Sequence, residues 1–138
     1  MGVQSAMPIY AGMAPGLDTL NRIPSAQFTL RTVDKAASYT CLPEDSGTIF
    51  TASAAATFTL PAVAASEGIY YTFINAANTD MAVTAPSGTL VADGNATATT
   101  ATFSTGSHKI GGCVQVVCNG TKWLMLSVGN TAAVATIS

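Results

Sequence analysis

SYTCLPEDSGTIFTASAAATFTLPAVAASEGIYYTFIN, residues 38–75, is written in the period of a β-sheet. Phe58 and Leu60 fall on one side of TFTL, and Ile69, Tyr71 and Phe73 on one side of IYYTF, the spacing a half-buried strand requires. Between these runs stand Glu44-Asp45-Ser46-Gly47 and Ser66-Glu67-Gly68. Both clusters supply turn hydrogen bonds and a residue free to take positive φ. The stretch reads as strand, corner, strand, small-residue loop, strand, and it holds no catalytic constellation. The predicted core residues are Phe58, Leu60, Tyr71, Phe73 and, further along, Trp123.

Outward from this centre the strand pattern continues. Phe28 and Leu30 alternate with Thr29 and Arg31; Asp80 to Thr84 and Thr89 to Ala92 are short strands closed by Ala85-Pro86-Ser87-Gly88 and Asp93-Gly94-Asn95. The run ATATTATFSTG is nearly all Ala and Thr and reads as a flat strand or a loop. Thr favours strands because its branched Cβ restricts χ1 in a helix. The plainest hairpin is Gly112 to Cys118, turning at Asn119-Gly120-Thr121 and returning from Lys122 to Ser127. Asn-Gly is the strongest short hairpin signal, through a type I′ turn. Both of its strands are apolar on each face, which predicts cover from a neighbour. Trp123, beside the turn, reads as a core anchor, with a sugar-stacking platform as the alternative. Short strands with turns every 8–12 residues or so predict an all-β fold, an antiparallel β-sandwich or jelly-roll-like domain over residues 27–138.

Residues 1–26 differ. They hold Pro8, Pro15 and Pro24 with Gly12 and Gly16, and sustain neither a two-residue nor a 3.6-residue period. Proline fixes φ and removes a donor, so an extended arm is predicted. Met7, Ile9, Tyr10, Met13, Leu17, Leu20 and Ile23 are too apolar for a solvated linker. Two readings stand: an arm folded back over its own sheet, or a partner-binding arm docked on another subunit, ordered upon binding. No basic start or continuous apolar block marks a signal peptide.

Charged residues make up 9% of the 138, against the roughly 25% usual in soluble domains. With a net charge of −2, so little charge favours association over a free monomer. Five Lys plus Arg leave no basic patch, so nucleic acid is not an expected partner. No window approaches 18 uninterrupted apolar residues, so no membrane partner is expected either.

The three cysteines, Cys41, Cys113 and Cys118, are an odd number, and Cys113 and Cys118 would face opposite sides of one strand. Free thiols are predicted, as in a reducing cytoplasm. His108, the only histidine, stands in Gly106-Ser107-His108-Lys109 with no GxSxG elbow near it. The cysteines lack metal-site spacing, and Asp93-Gly94-Asn95 lacks the ligand series of a calcium loop. No enzyme, metal or cofactor is expected.

Taken together, Tyr39-Thr40, Asp45-Ser46-Gly47, Phe58-Thr59-Leu60-Pro61, Gly68-Ile69-Tyr70-Tyr71-Thr72-Phe73, Val83-Thr84-Ala85-Pro86-Ser87-Gly88 and Asn119-Gly120-Thr121-Lys122-Trp123 form a succession over residues 38–127. That succession resembles small virion structural proteins of tailed bacteriophages, found as capsid decoration (cement) proteins and as tail-fibre or tailspike modules. The short chain and its Pro-rich arm favour the capsid. The resemblance implies a homo-oligomer, dimer or trimer, on the outer capsid surface of the virion, made in the host bacterial cytoplasm and bridging copies of the major capsid protein. Such a protein stabilises the expanded shell by binding it in preference to its precursor, with avidity from bridging. The alternative is a tail-fibre or tailspike module for receptor or glycan binding, which would carry exposed aromatics. A secreted adhesion domain is disfavoured by the lack of a signal sequence.

Overall fold

The computed structural model describes residues 29–104, 109–127 and 135–138. The strands among them, in chain order, are β1 (Thr32–Lys35), β2 (Tyr39–Thr40), β3 (Ile49–Ala52), β4 (Ala56–Thr59), β5 (Tyr70–Asn75), β6 (Met81–Thr84), β7 (Leu90–Ala92), β8 (Asn95–Ala98), β9 (Thr100–Phe103), β10 (Cys113–Cys118), β11 (Trp123–Ser127) and β12 (Thr136–Ile137). They form a seven-stranded sheet in the order β1-β3-β5-β10-β11-β7-β8 and a five-stranded sheet in the order β12-β9-β6-β4-β2. The chain is all-β, as its alternation predicts.

The first six strands wind as a coil. Each circuit places one strand in the seven-stranded sheet and the next in the five-stranded sheet. Three short corners carry the crossing: Ala36-Ala37-Ser38, Ser53-Ala54-Ala55 and Ala76-Ala77-Asn78 with Thr79 and Asp80. Because the chain crosses to the facing sheet, successive strands within one sheet run the same way. Val33 lies beside Phe50 and Phe50 beside Phe73, while Tyr39 lies beside Phe58 and Phe58 beside Val83. The corners stack too, through Ser53 N to Lys35 O at 3.1 Å and Ala76 N to Ala52 O at 3.0 Å.

This corrects the antiparallel expectation. The pairs β1–β3, β3–β5, β2–β4, β4–β6 and β7–β11 are parallel. Antiparallel pairing is confined to β5–β10, β10–β11, β7–β8, β6–β9 and β9–β12. The physical reason is the corner: a two-residue hairpin reverses the chain within a sheet, whereas a small-residue corner sends it across the core. An antiparallel jelly roll does not wind in this way.

Stacked circuits bring aromatic rings into register between the sheets. Phe50 meets Phe73 at 5.6 Å and Phe58 at 5.6 Å, and Phe58 meets Phe73 at 4.7 Å between ring centroids. Phe58, Leu60, Tyr71, Phe73 and Trp123 all belong to this core, and Trp123 is 0% exposed. Ring pairs at such separations add to the burial term.

The hairpin β10–β11 is the middle of the larger sheet, and its connection differs from a type I′ turn. Cys118 pairs with Trp123, which leaves four residues, 119–122, in the loop. Asn119 acts through its side chain: Oδ1 accepts from the N–H of Thr121 at 3.0 Å and of Lys122 at 2.8 Å. Gly120 takes the positive φ, +88°. The Ala/Thr run is two strands that change sheets at Thr99, with Ala98 and Ala101 both buried. The first strand starts at Thr32, with Thr29 to Arg31 irregular before it.

Candidate functional site

Period-two burial gives each sheet an outward face, and the two faces differ in chemistry. In the five-stranded sheet the outward positions form rows: Thr40, Thr59, Thr84 and Thr100 in one, Thr57, Ala82, Thr102 and Thr136 in the other. Seven of these eight residues are threonine and none is charged. Thr84 and Thr100 approach each other at 3.3 Å through their hydroxyls. Sequence reasoning missed this face, although TFT and TAT carry the signal in plain alternation.

In the seven-stranded sheet, Tyr70, Val117, Leu124 and Val91 form one outward row, and Ile49, Thr72, Gln115 and Leu126 the next. Ile74 and Cys113 continue it. Tyr70 is 42% and Leu126 57% exposed. From β3 to β7 no outward position holds a charge; the first charged residue is Asp34, on edge strand β1. There Asp34 accepts from the Ser53 hydroxyl at 2.6 Å and the Thr51 hydroxyl at 2.7 Å, and these bonds, Ser53's first, hold its carboxyl below the ordinary value.

A shallow, open hollow of about 350 Å³ lies on the threonine side, lined by Ser38, Ala55, Ala56, Thr57, Asp80, Ala82 and Thr102. Lys109 is ion-paired to Asp80 at its rim.

One polar cluster is built to hold shape. The 3-10 turn Pro43–Asp45 closes the corner into β3, and Asp45 is 6% exposed. Its carboxylate accepts from Tyr39 Oη at 2.7 Å, from Leu42 N at 3.1 Å and from Arg31 Nη1 at 3.1 Å. Arg31 also donates to Thr48 Oγ1 at 3.1 Å. Burial pushes the Asp45 carboxyl up, but the bonds from Tyr39, Leu42 and Arg31 outweigh it and hold the acid below its usual range. Tyr39 shifts up, first because its hydroxyl is donated to Asp45. Tyr71 Oη donates to Leu42 O at 2.6 Å and fastens the same corner from the core. Every partner is internal, so the cluster serves the fold. Glu44-Asp45 reads from sequence as a corner cap; the reach back to Arg31 does not.

Trp123 is no surface platform. Its ring stacks on Tyr71 at 5.8 Å, within the core. Tyr39 is half-buried with Lys35 Nζ 3.6 Å above its ring, which leaves Tyr70 as the exposed aromatic of the described residues. The arm residues Met7, Ile9, Tyr10, Met13, Leu17, Leu20 and Ile23, and also His108, lie outside the described residues. Among the described residues, no group of three His, Cys, Asp or Glu could hold a metal, and no helix is long and apolar enough to cross a membrane. Cys41, Cys113 and Cys118 are unpaired. No protein family model, no curated protein and no solved structure matches the chain.

Proposed function

We propose that this chain is a non-enzymatic virion structural protein, a decoration protein that binds the outside of a tailed-phage head and bridges copies of the major capsid protein. The observation that supports the reading is that the threonine-rich face, and the apolar face from β3 to β7, hold no charged outward residue. Such faces contact other protein surfaces without desolvating ions, and desolvated charges are the costly part of an interface. A body wound in register and pinned by aromatic rings presents those faces without ordering cost, which suits repeated contacts on a lattice. A dimer or trimer seated on the shell follows from the same resemblance.

The test is co-sedimentation with empty phage heads, expanded and unexpanded. The chain should saturate expanded heads and leave unexpanded ones bare. Thr84→Lys, which puts a charge in the centre of the threonine face, should reduce occupancy without lowering the melting temperature. A wild-type chain that ignores expanded heads overturns the reading. The hollow beside Asp80, with hydroxyls of Ser38, Thr57 and Thr102, favours the second reading, a tail-fibre or tailspike module that takes a glycan. Glycan-array binding lost in Asp80→Ala and Thr102→Val would decide for it.

A further inference from the structure

We propose that Asn119 is a modification site, an asparagine that loses its side-chain amide by reaction with the main-chain nitrogen of Gly120, and that the folded turn restrains this reaction through Cys118. Asn119 is the only asparagine followed by glycine in the chain. It is exposed in the loop between β10 and β11, and Gly120 has no Cβ to obstruct its nitrogen. The reaction needs only water and solvent base. Gly120 N gives up its proton and adds to Asn119 Cγ; the adduct collapses by expelling Nδ2, which takes up a proton and leaves as ammonia. The product is a five-membered succinimide, in which Gly120 N joins Cγ to the main-chain carbonyl carbon of Asn119. One water then opens the ring. Cleavage at Cγ leaves aspartate, and cleavage at the main-chain carbonyl leaves isoaspartate.

The turn holds one half of this step ready and the other half away. Oδ1, the oxygen that gathers charge in the adduct, already accepts from the N–H of Thr121 at 3.0 Å and of Lys122 at 2.8 Å. Donors at such distances stabilise an oxyanion. The nucleophile is aimed elsewhere. Gly120 N–H donates to Cys118 Sγ at 3.4 Å, and the lone pair left by deprotonation lies along that same direction, towards sulfur and away from Cγ. The sulfur is itself fixed, because the thiol donates to Val63 O at 3.5 Å and Cys118 is 2% exposed. Alignment comes first: until the nitrogen faces Cγ there is no adduct for the two donors to stabilise. Opening the turn far enough to free Gly120 N–H starts the reaction. The product does not return to the same turn. Isoaspartate adds a methylene to the main chain within a loop whose ends, Cys118 and Trp123, are paired. The new carboxylate also stands next to Gly120, where a Cβ would lie 3.4 Å from Glu67 Cδ, so two acids share one corner.

The full chain is incubated at mildly alkaline pH, native and in guanidinium chloride, and conversion at Asn119 is followed by mass spectrometry of the peptide that holds it. Asn119 should convert at least about tenfold more slowly in the native chain, the protection expected of a turn that must open first. Cys118→Val removes the acceptor and keeps an apolar side chain of similar volume. Below its own melting transition it should convert about fivefold faster than the native wild type, since only the local restraint on Gly120 N–H is lost. Cys118→Ser, which keeps an acceptor for Gly120 N–H and a donor for Val63 O, should stay near the wild-type rate. If Cys118→Val does not fold, Cys118→Ala takes its place in the same comparison. An Asn119 that does not convert in denaturant overturns the site, and equal rates in native and denatured wild type overturn the protection. A valine variant no faster than wild type overturns the role of the sulfur. Equal acceleration in the valine and serine variants overturns it as well, because a loosened strand would then account for both. No phage head enters the experiment, so its outcome is independent of the decoration reading.

Discussion

The indole N–H of Trp123 donates to the carbonyl of Pro61 at 3.0 Å, joining residues 62 apart in the chain. The bond runs from β11 in one sheet to the loop that follows β4 in the other, so it ties the two sheets at one end of the core. The backbone N–H of Trp123 donates to Thr89 O at 2.8 Å and fixes β11 to the start of β7 within its own sheet. Trp123→Ala should cost about 3–5 kcal/mol, the range for deleting a large buried aromatic. A domain of this size has about 5–15 kcal/mol in all, so the variant should fold marginally. Trp123→Phe keeps much of the ring and leaves Pro61 O without its donor, which should cost about 1–3 kcal/mol. Urea unfolding of both variants checks the order. A Trp123→Ala chain as stable as wild type would contradict the assigned packing.

Gly112 opens β10 where the backbone passes against a buried ring. A Cβ at this position would lie 2.7 Å from Phe103 Cδ1 and 2.9 Å from Cγ. Phe103 is 1% exposed and cannot swing out to solvent. Gly112→Ala should therefore destabilise by about 1–3 kcal/mol, the usual cost of overpacking. The added Phe103→Leu change should restore part of that loss, a coupling that thermal melts of the two single variants and the double variant would reveal. Strictly additive losses would show that the alanine is accommodated elsewhere.

Alternation in TFTL and IYYTF made strand positions and inward residues legible, because a half-buried strand writes its two faces directly into the sequence. The winding is written in the sequence too, in corners that turn signals alone do not distinguish from hairpins. TVDKAASYT, IFTASAAATFT and TFINAANTDMAVT each place apolar residues before and after a corner of Ala, Ser or Asn. Val33, Phe50 and Phe73 are equivalent in these three, as are Tyr39, Phe58 and Val83. A search for internal repeats finds this period; a reading by turn signals alone takes each corner for a hairpin. The reach of Arg31 to Asp45 was beyond sequence reasoning, since it depends on β1 lying beside β3.

Thiol chemistry should follow burial. Denatured without reductant, the chain should titrate three free thiols, and finding one would establish a disulfide. In the native chain Cys41 should be the slowest to react, because burial pushes its thiol up to about 12 and leaves little thiolate at neutral pH. Cys113 is also raised by burial, and its position on a sheet face still makes it more accessible than Cys41. Stopped reactions mapped by mass spectrometry would rank them. Cys41 reacting first would contradict the structure.

Acid should act through Asp45. Its carboxyl is held below the usual value in the folded chain, while an unfolded aspartate titrates near about 3.9. The stability it contributes is then complete above about pH 4 and is lost as pH falls through the lower folded value. Protonation removes the charge facing Arg31 and weakens what the carboxylate accepts from Tyr39 and Leu42 N. Asp45→Asn keeps the shape and abolishes the titration, so its stability should be lower than wild type near neutrality. The gap should begin to narrow below about pH 4, as the unfolded acid protonates, and close only once pH has passed the lowered folded value and the wild-type acid is neutral in both states. At pH 7 the loss should be about 1.5–3 kcal/mol, the range for bonds to a charged group. Urea unfolding in steps from pH 7 down through the acid range follows this dependence, and a gap that stays constant throughout would assign the acid response to other carboxylates.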